Sequence, residues 1–184
     1  MYESNFKAIF DYLRRRTGRN EGYASDLAQE TFEDAYKSFQ GFKAKEGIPN
    51  AERVWLYKIA HSTLVDFYRR EGRMEENLER GKLGVLNEDE GEQFSDIGVS
   101  EKMSALRTTL DGLPDRRKLL LYLRLTEGLT YKEVAYIMAS EVDALKSLYN
   151  RTEKEIGRTM RKRQIKLDRH KTVGVMTMLV RHEI

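Results

Sequence analysis

Tyr23-Ala24-Ser25-Asp26-Leu27-Ala28-Gln29-Glu30-Thr31-Phe32-Glu33-Asp34-Ala35-Tyr36-Lys37-Ser38-Phe39 carries two stripes at a single helical period. Ala24, Ala28, Phe32, Ala35 and Phe39 recur every three or four residues and form a small and apolar side. Asp26, Gln29, Glu30 and Glu33 fall on another side. The pattern predicts an amphipathic helix with an exposed carboxylate and amide face.

The same period continues outward. Phe6, Ile9, Phe10 and Leu13 predict an earlier helix, which runs into Arg14-Arg15-Arg16 and stops at Thr17-Gly18-Arg19-Asn20. Residues 41–50, with Gly47 and Pro49, read as a loop, and residues 52–70 as a long helix with Val54, Leu56, Ile59, Leu64, Val65 and Phe67 as its apolar residues. Residues 81–99 are acidic, punctuated by glycine and without sustained period, which predicts a flexible linker. A second module opens at Leu113-Pro114-Asp115, where proline suits a first helical turn, runs through Leu119, Leu120, Leu123 and Leu125, and stops at Gly128. Thr130-Tyr131-Lys132-Glu133 has the form of a capping box, and Ser140 is placed to cap the next helix. Two starts so close together predict a tight bihelical unit. The expected fold is all-α: two small helical domains, 1–72 and 103–168, joined by an acidic flexible linker, 73–102, and followed by a tail, 169–184. The C-terminal domain is expected to be a helix-turn-helix.

Composition narrows the function. At 184 residues the chain holds one ordinary domain or two small ones. With no cysteine it can form no disulfide framework, thiolate nucleophile or zinc-thiolate site. No run approaches the roughly 18 apolar residues of a membrane-spanning helix, and Met1-Tyr2-Glu3-Ser4-Asn5 begins no apolar signal segment. A cytoplasmic location away from membranes is therefore expected. His61, His170 and His182 have no ligand-like spacing and no phosphate-binding glycine loop occurs, so neither an enzyme, a cofactor nor a metal site is expected. The net charge of +3 conceals an asymmetry: residues 75–101 carry nine acids against two bases, whereas residues 146–171 carry ten bases against three acids. The basic block suits phosphate contacts, and the acidic block repels DNA.

Three segments carry a resemblance: Asp26-Leu27-Ala28-Gln29-Glu30-Thr31-Phe32, Val54-Trp55-Leu56-Tyr57-Lys58-Ile59-Ala60 and Asp66-Phe67-Tyr68-Arg69-Arg70, with the helix-turn-helix pattern from Leu113 to Met160. Together they resemble bacterial RNA polymerase sigma factors of the extracytoplasmic-function (ECF) group, in the sigma-70 family with its regions 2 and 4. The resemblance implies a protein that binds core RNA polymerase and directs promoter recognition and opening. It implies docking on the clamp coiled coil of the polymerase largest subunit through Asp26, Gln29, Glu30, Glu33 and Tyr36, with Leu27 and Phe32 as packing support. The second domain is expected at the flap region of the polymerase.

For the minus-10 element the resemblance points to the 41–53 loop and the helix after it. Single strands are held by positive charge and aromatic faces, and Lys43, Lys45, Arg53, Lys58, His61, Tyr68, Arg69 and Arg70 supply such groups; Ser62 belongs to the same surface. His61 and Ser62 stand where relatives usually carry Arg and Asn, so their base preference does not transfer. Trp55 is expected to be mostly core. Upstream DNA contacts are expected from Thr130, Tyr131, Lys146, Ser147, Asn150 and Arg151. Relatives typically read Gly-Ile-Ser-x-Gly-Thr-Val-Lys-Ser-Arg across the turn, where this chain has Ala139-Ser140-Glu141-Val142-Asp143-Ala144-Leu145-Lys146-Ser147-Leu148. Glu141 and Asp143 repel phosphate, and Leu148 replaces an arginine. Weakened minus-35 reading follows.

Two further expectations concern partners. Glu88, Asp89, Glu90 and Glu92 make the linker an acidic mimic of nucleic acid on a basic path through the polymerase. The apolar run Val173-Gly174-Val175-Met176-Thr177-Met178-Leu179-Val180 suits a DNA-targeting partner that supplies upstream specificity. An anti-sigma factor is the other expected partner. The rival reading is a sigma mimic or helix-turn-helix regulator that binds an anti-sigma protein without initiating transcription.

Overall fold

The computed structural model describes residues 2–70 and 97–162. The linker acids Glu88, Asp89, Glu90 and Glu92 and the tail 173–184 lie outside the described residues. Seven α-helices and no strand occur among those described: α1 Tyr2–Arg16, α2 Glu21–Ser38, α3 Ala51–Arg70, α4 Ile97–Asp111, α5 Asp115–Leu125, α6 Tyr131–Ile137 and α7 Val142–Lys162. The fold is all-α, as expected. Helix α4 begins at Ile97, inside the stretch read from the sequence as linker.

The first three helices form one group. Arg14, Arg15 and Arg16 close α1, where positive charge favours the carbonyl end of a helix. The chain then turns through Gly18 at φ 66° and Arg19 at φ 59°, a left-handed conformation that glycine adopts without steric cost. Asn20 caps α2 by accepting the Tyr23 N–H at 3.0 Å. Helix α2 buries Ala24, Leu27, Ala28, Thr31, Phe32 and Ala35, and the otherwise costly Thr31 hydroxyl donates to the Leu27 carbonyl at 2.7 Å. Phe39, read as the end of the apolar stripe, is 47 % exposed: it lies beyond α2, in the 3-10 turn Phe39–Gly41. Helices α1 and α3 flank α2, with Ile9, Leu13, Val54, Leu56 and Leu64 in the shared core. Each large apolar side chain buried this way contributes about 1.5–3 kcal/mol.

The second group is built around α5. Its residues Lys118–Leu123 are all buried, the signature of a helix surrounded by neighbours rather than laid on a surface. Thr130 caps α6, accepting the Glu133 N–H at 3.3 Å while the Glu133 carboxylate accepts the Thr130 N–H at 2.6 Å. The capping box read from sequence is present. Arg124 braces that turn, donating to the Leu129 carbonyl and lying 4.3 Å from the Tyr131 ring centroid. Ser140 does not cap α7; its hydroxyl accepts from Arg116 at 2.9 Å, and the helix starts at Val142. Helix α7 buries Leu145, Thr152, Ile156 and Met160 on one stripe and leaves Lys146, Arg151, Lys154, Arg158, Arg161 and Lys162 exposed.

The two groups meet along a seam that the periodicity did not show. Helix α3 packs on α6. Tyr12, Tyr57 and Tyr122 are buried at the centre, with the Tyr12 ring 5.5 Å from Tyr57 and 5.8 Å from Tyr122. Such pairs add about 0.5–1.5 kcal/mol beyond area burial.

Candidate functional site

Helix α2 presents its charged face to solvent because its opposite face is buried. Asp26, Gln29 and Glu33 are exposed and Glu30 is partly so. The stripe is held in line by pairs along the helix: Gln29 donates to Glu33 at 2.9 Å, and Lys37 lies 3.3 Å from Asp34. Leu27 and Phe32 lie in the core beneath it, with the Phe6 ring tilted against Phe32 at 6.0 Å. Tyr36 is 81 % exposed, unusual for a large ring. The structure thus brings the predicted docking residues Asp26, Gln29, Glu30, Glu33 and Tyr36 onto one accessible surface.

Next to that surface lies an aromatic cluster. Phe42 packs 4.7 Å from Trp55 and 6.2 Å from Phe39. Trp55 is partly buried, and exposed Lys43 follows Phe42 directly. The loop beyond turns through Gly47 at φ 73° and Asn50 at φ 51° before entering α3.

The residues expected to hold minus-10 DNA divide into three sets. Lys45, Arg53 and Lys58 lie along the edge of the seam, Lys45 and Lys58 exposed and Arg53 partly so. Arg53 lies 2.6 Å from Glu127 and stacks 5.6 Å from the Tyr57 ring centroid, while the ammonium groups of Lys45 and Lys58 lie 5.3 and 4.4 Å from the Tyr136 ring centroid. His61 and Tyr68 instead tie α3 to α1: His61 Nδ1 is 3.2 Å from the Tyr12 hydroxyl, and the Tyr68 hydroxyl donates to the Arg16 carbonyl. Burial and the nearby Arg16 guanidinium push His61 down to about 4, and burial pushes Tyr12 up to about 12. Lys43, Ser62, Arg69 and Arg70 are exposed; Arg69 pairs with Asp66 at 2.7 Å and Arg70 with Glu30 at 3.2 Å.

Glu127 is the residue that sequence reading missed. In the Thr126-Glu127-Gly128 turn it looks like an ordinary loop acid, yet its side chain is only 10 % exposed. It accepts from the Tyr122 hydroxyl at 2.6 Å and from Arg53 at 2.6 Å, joining the two groups. Burial, reinforced by the Glu127 charge, holds the Tyr57 and Tyr122 phenols far above their ordinary range. Tyr136 was equally unmarked.

On α7, Lys146, Ser147, Asn150 and Arg151 share one exposed face. Lys146 is paired with Asp143 at 3.0 Å, the Asp143 side chain being 92 % exposed, and Glu141 is exposed beside it. Thr130 is occupied in its cap, and Tyr131 meets Tyr149 edge-on at 6.1 Å. Leu148 is partly buried against the core rather than on the exposed face. Among the described residues, no group of three His, Cys, Asp or Glu side chains is placed to hold a metal, and no helix is long and apolar enough to cross a membrane.

An acidic and amide stripe on α2, an aromatic cluster beside Lys43 and a basic face on α7 thus sit on one all-helical frame. The family description "Sigma-70 region 2" matches residues 1–74. The RNA polymerase sigma factor YlaC of Bacillus subtilis is 32 % identical over 164 residues, covering 88 % of this chain and 91 % of that one. The ECF RNA polymerase sigma-E factor of Haemophilus influenzae is 30 % identical over 142 residues, 73 % of this chain and 72 % of that one. In structure, the Bartonella quintana sigma factor RpoE, crystallised with the anti-sigma factor NepR, shares the fold with a TM-score of 0.53 at 16 % identity, over 87 % of this chain and 94 % of that chain. The chain belongs to the sigma-70 family of RNA polymerase sigma factors, in its ECF group.

Proposed function

We propose that residues 1–72 bind the clamp coiled coil of core RNA polymerase and open the minus-10 element, and that residues 103–168 contact the flap region and upstream DNA as a helix-turn-helix. The observation that carries this is the α2 stripe Asp26, Gln29, Glu30 and Glu33, exposed as one surface with Tyr36 beside it. The Phe39, Phe42 and Trp55 cluster next to Lys43 offers the π-faces and charge that a displaced base and its phosphate require. Lys43, Lys45, Arg53, Lys58, Ser62, Arg69 and Arg70 provide the DNA contacts, with His61 and Tyr68 serving the packing of α3 on α1. Polymerase supplies the catalysis.

Minus-35 reading by this chain is weak. Exposed Glu141 and Asp143 stand where DNA phosphates approach, and Asp143 already engages Lys146. Thr130, Tyr131, Ser147, Asn150 and Arg151 then hold the duplex mainly through its backbone, and a DNA-targeting partner supplies the missing specificity. That the Bartonella sigma factor of this fold was crystallised with an anti-sigma factor supports a partner of that kind as well.

The test is a reconstitution with purified core polymerase and promoter DNA, reading strand opening by permanganate reactivity. Lys58→Ala, Arg69→Ala and Arg70→Ala combined should reduce opening while polymerase affinity stays near wild type. Equal losses of both refute the division of labour. Anti-sigma binding with no open complex at all establishes the sigma mimic instead.

A further inference from the structure

A cavity of about 570 Å³ lies between α3 with the 41–50 loop and the turn that joins α6 to α7. That is the size of a small-ligand site, about 300–1,000 Å³. Its lining has two unlike sides. On one, Lys45 and Lys58 are exposed, their ammonium groups 5.3 and 4.4 Å from the centroid of the same Tyr136 ring. Among the described residues neither lysine meets a carboxylate at ion-pair distance. An aromatic face holds a cation in place without neutralising it, so both charges stay available to an anion. On the other side stands Glu141, exposed, the one acid among the described lining residues.

The wall between the two sides is small. Ala139 and Ala144 leave the space open, and Ala139 holds φ 46°, a left-handed conformation that is costly for a residue with a β-carbon. Ser140 adds a donor. Its hydroxyl accepts from Arg116 at 2.9 Å, which leaves its own proton for a group in the cavity.

We infer that this cavity is a binding site for a nucleoside diphosphate, with the diphosphate between Lys45 and Lys58 and the ribose hydroxyls donating to Glu141. Two cations beside one ring match two adjacent phosphates, and a carboxylate is the natural acceptor for a sugar hydroxyl. A bare polyphosphate fits the lysines but is repelled by Glu141. A DNA strand has one charge per nucleotide and no 2′ hydroxyl. The site goes beyond the functional reading above, which gives the same two lysines to promoter DNA, so a bound nucleotide competes with a strand for them.

The test is isothermal titration calorimetry of the full chain at about 0.15 M salt, with ADP, inorganic pyrophosphate and a single-stranded DNA of about 12 nucleotides as ligands. ADP should bind at least about fivefold more tightly than pyrophosphate, and Lys45→Gln or Lys58→Gln should weaken both at least about fivefold. Glu141→Ala is decisive because its two effects have opposite signs: it should weaken ADP at least about threefold, by loss of an acceptor, and tighten pyrophosphate, by loss of a repulsion. Lys154→Gln, on the exposed face of α7, should leave ADP binding unchanged. All four positions are exposed, so the melting temperature should stay near wild type. If Glu141→Ala tightens both ligands, or Lys154→Gln weakens ADP as much as Lys58→Gln does, the attraction is charge alone and the site falls. If the strand binds through Lys45 and Lys58 and ADP does not bind, the functional reading stands and the nucleotide site falls. If ADP binds as expected and the Lys58, Arg69 and Arg70 alanine variant opens promoters normally, the nucleotide site stands and the functional reading falls.

Discussion

Helices α2 and α3 each carry a charged stripe, but they are placed very differently. The acids of α2 face solvent: Glu33 and Asp34 pair along their own helix, and Glu30 meets Arg70 at the end of α3. Arg53 of α3 is partly buried against a carboxylate 74 residues away in sequence, while Lys58, one turn and a half on, stays exposed beside the Tyr136 ring. The contrast separates what a helical period specifies from what it leaves open. Period fixes which residues share a face; only the long-range packing decides whether that face is free.

The largest effect expected from this contrast lies on α2. Combined Asp26→Ala, Glu30→Ala and Glu33→Ala should weaken polymerase binding by about 2–5 kcal/mol, or roughly 30-fold or more, since truncating charges buried at an interface leaves their partners unpaired. Because the stripe is exposed in the free protein, the melting temperature should change little. A competition assay against a reference sigma factor reads the first quantity and calorimetry the second. A large stability loss with unchanged polymerase binding would reverse the roles assigned to the two helices.

On α3 the sign of the effects is opposite. Glu127→Ala strips Arg53 and the Tyr122 hydroxyl of a shared partner at a site where Glu127 is only 10 % exposed, and should cost about 2–3 kcal/mol of folding stability in urea titration. Had the seam been a loose contact, the loss would stay within about 0.5 kcal/mol, as for surface changes.

A pH effect of similar or slightly smaller size follows from His61. Its folded pKa is depressed to about 4 from 6.5, so between these values the unfolded chain binds the extra proton. The stabilisation is present above about pH 6.5 and is lost as pH falls toward 4. Between pH 7 and pH 5 unfolding free energy should drop by about 2 kcal/mol. The Tyr12 hydroxyl packed against this ring does not change charge in that window. His61→Gln should flatten the slope, and an unchanged slope would place the ring in solvent, on the DNA side of α3.

These placements show why some of the molecule was legible in the sequence and some was not. Local signals survived: the α2 stripes, the stop at Thr17–Asn20 and the Thr130–Glu133 capping box all depend on residues within a turn or two of one another. Lys45, Arg53 and Lys58 were recognisable as a basic surface, but that Arg53 pairs with Glu127 and that Lys45 and Lys58 lie beside Tyr136 depends on residues far away in sequence. Buried Tyr12, Tyr57 and Tyr122 illustrate the limit: each reads as one more apolar position of its own helix, and their meeting depends on topology alone. Ser140 failed differently. The helix starts at Val142, one residue later than a Ser140 cap requires, and the Ser140 hydroxyl accepts from Arg116 instead.

The smallest expected effect comes from the place where the two stripes touch. Arg70, in the last turn of α3, lies 3.2 Å from Glu30 of α2, with side chains 61 and 42 % exposed. It is a contact between elements, as Arg53–Glu127 is, but it sits in water, where screening and side-chain entropy offset most of the attraction. Arg70→Ala should therefore change folding stability by less than about 0.5 kcal/mol, and by less still in 0.5 M salt. The comparison with Glu127→Ala is direct, since both remove one ion pair that joins separate helices. If the two variants cost the same, burial is not what distinguishes the seam from the surface. If Arg70→Ala is silent in stability yet lowers promoter opening, the end of α3 behaves like the α2 stripe: a free charged face whose energy is spent on a partner rather than on the fold.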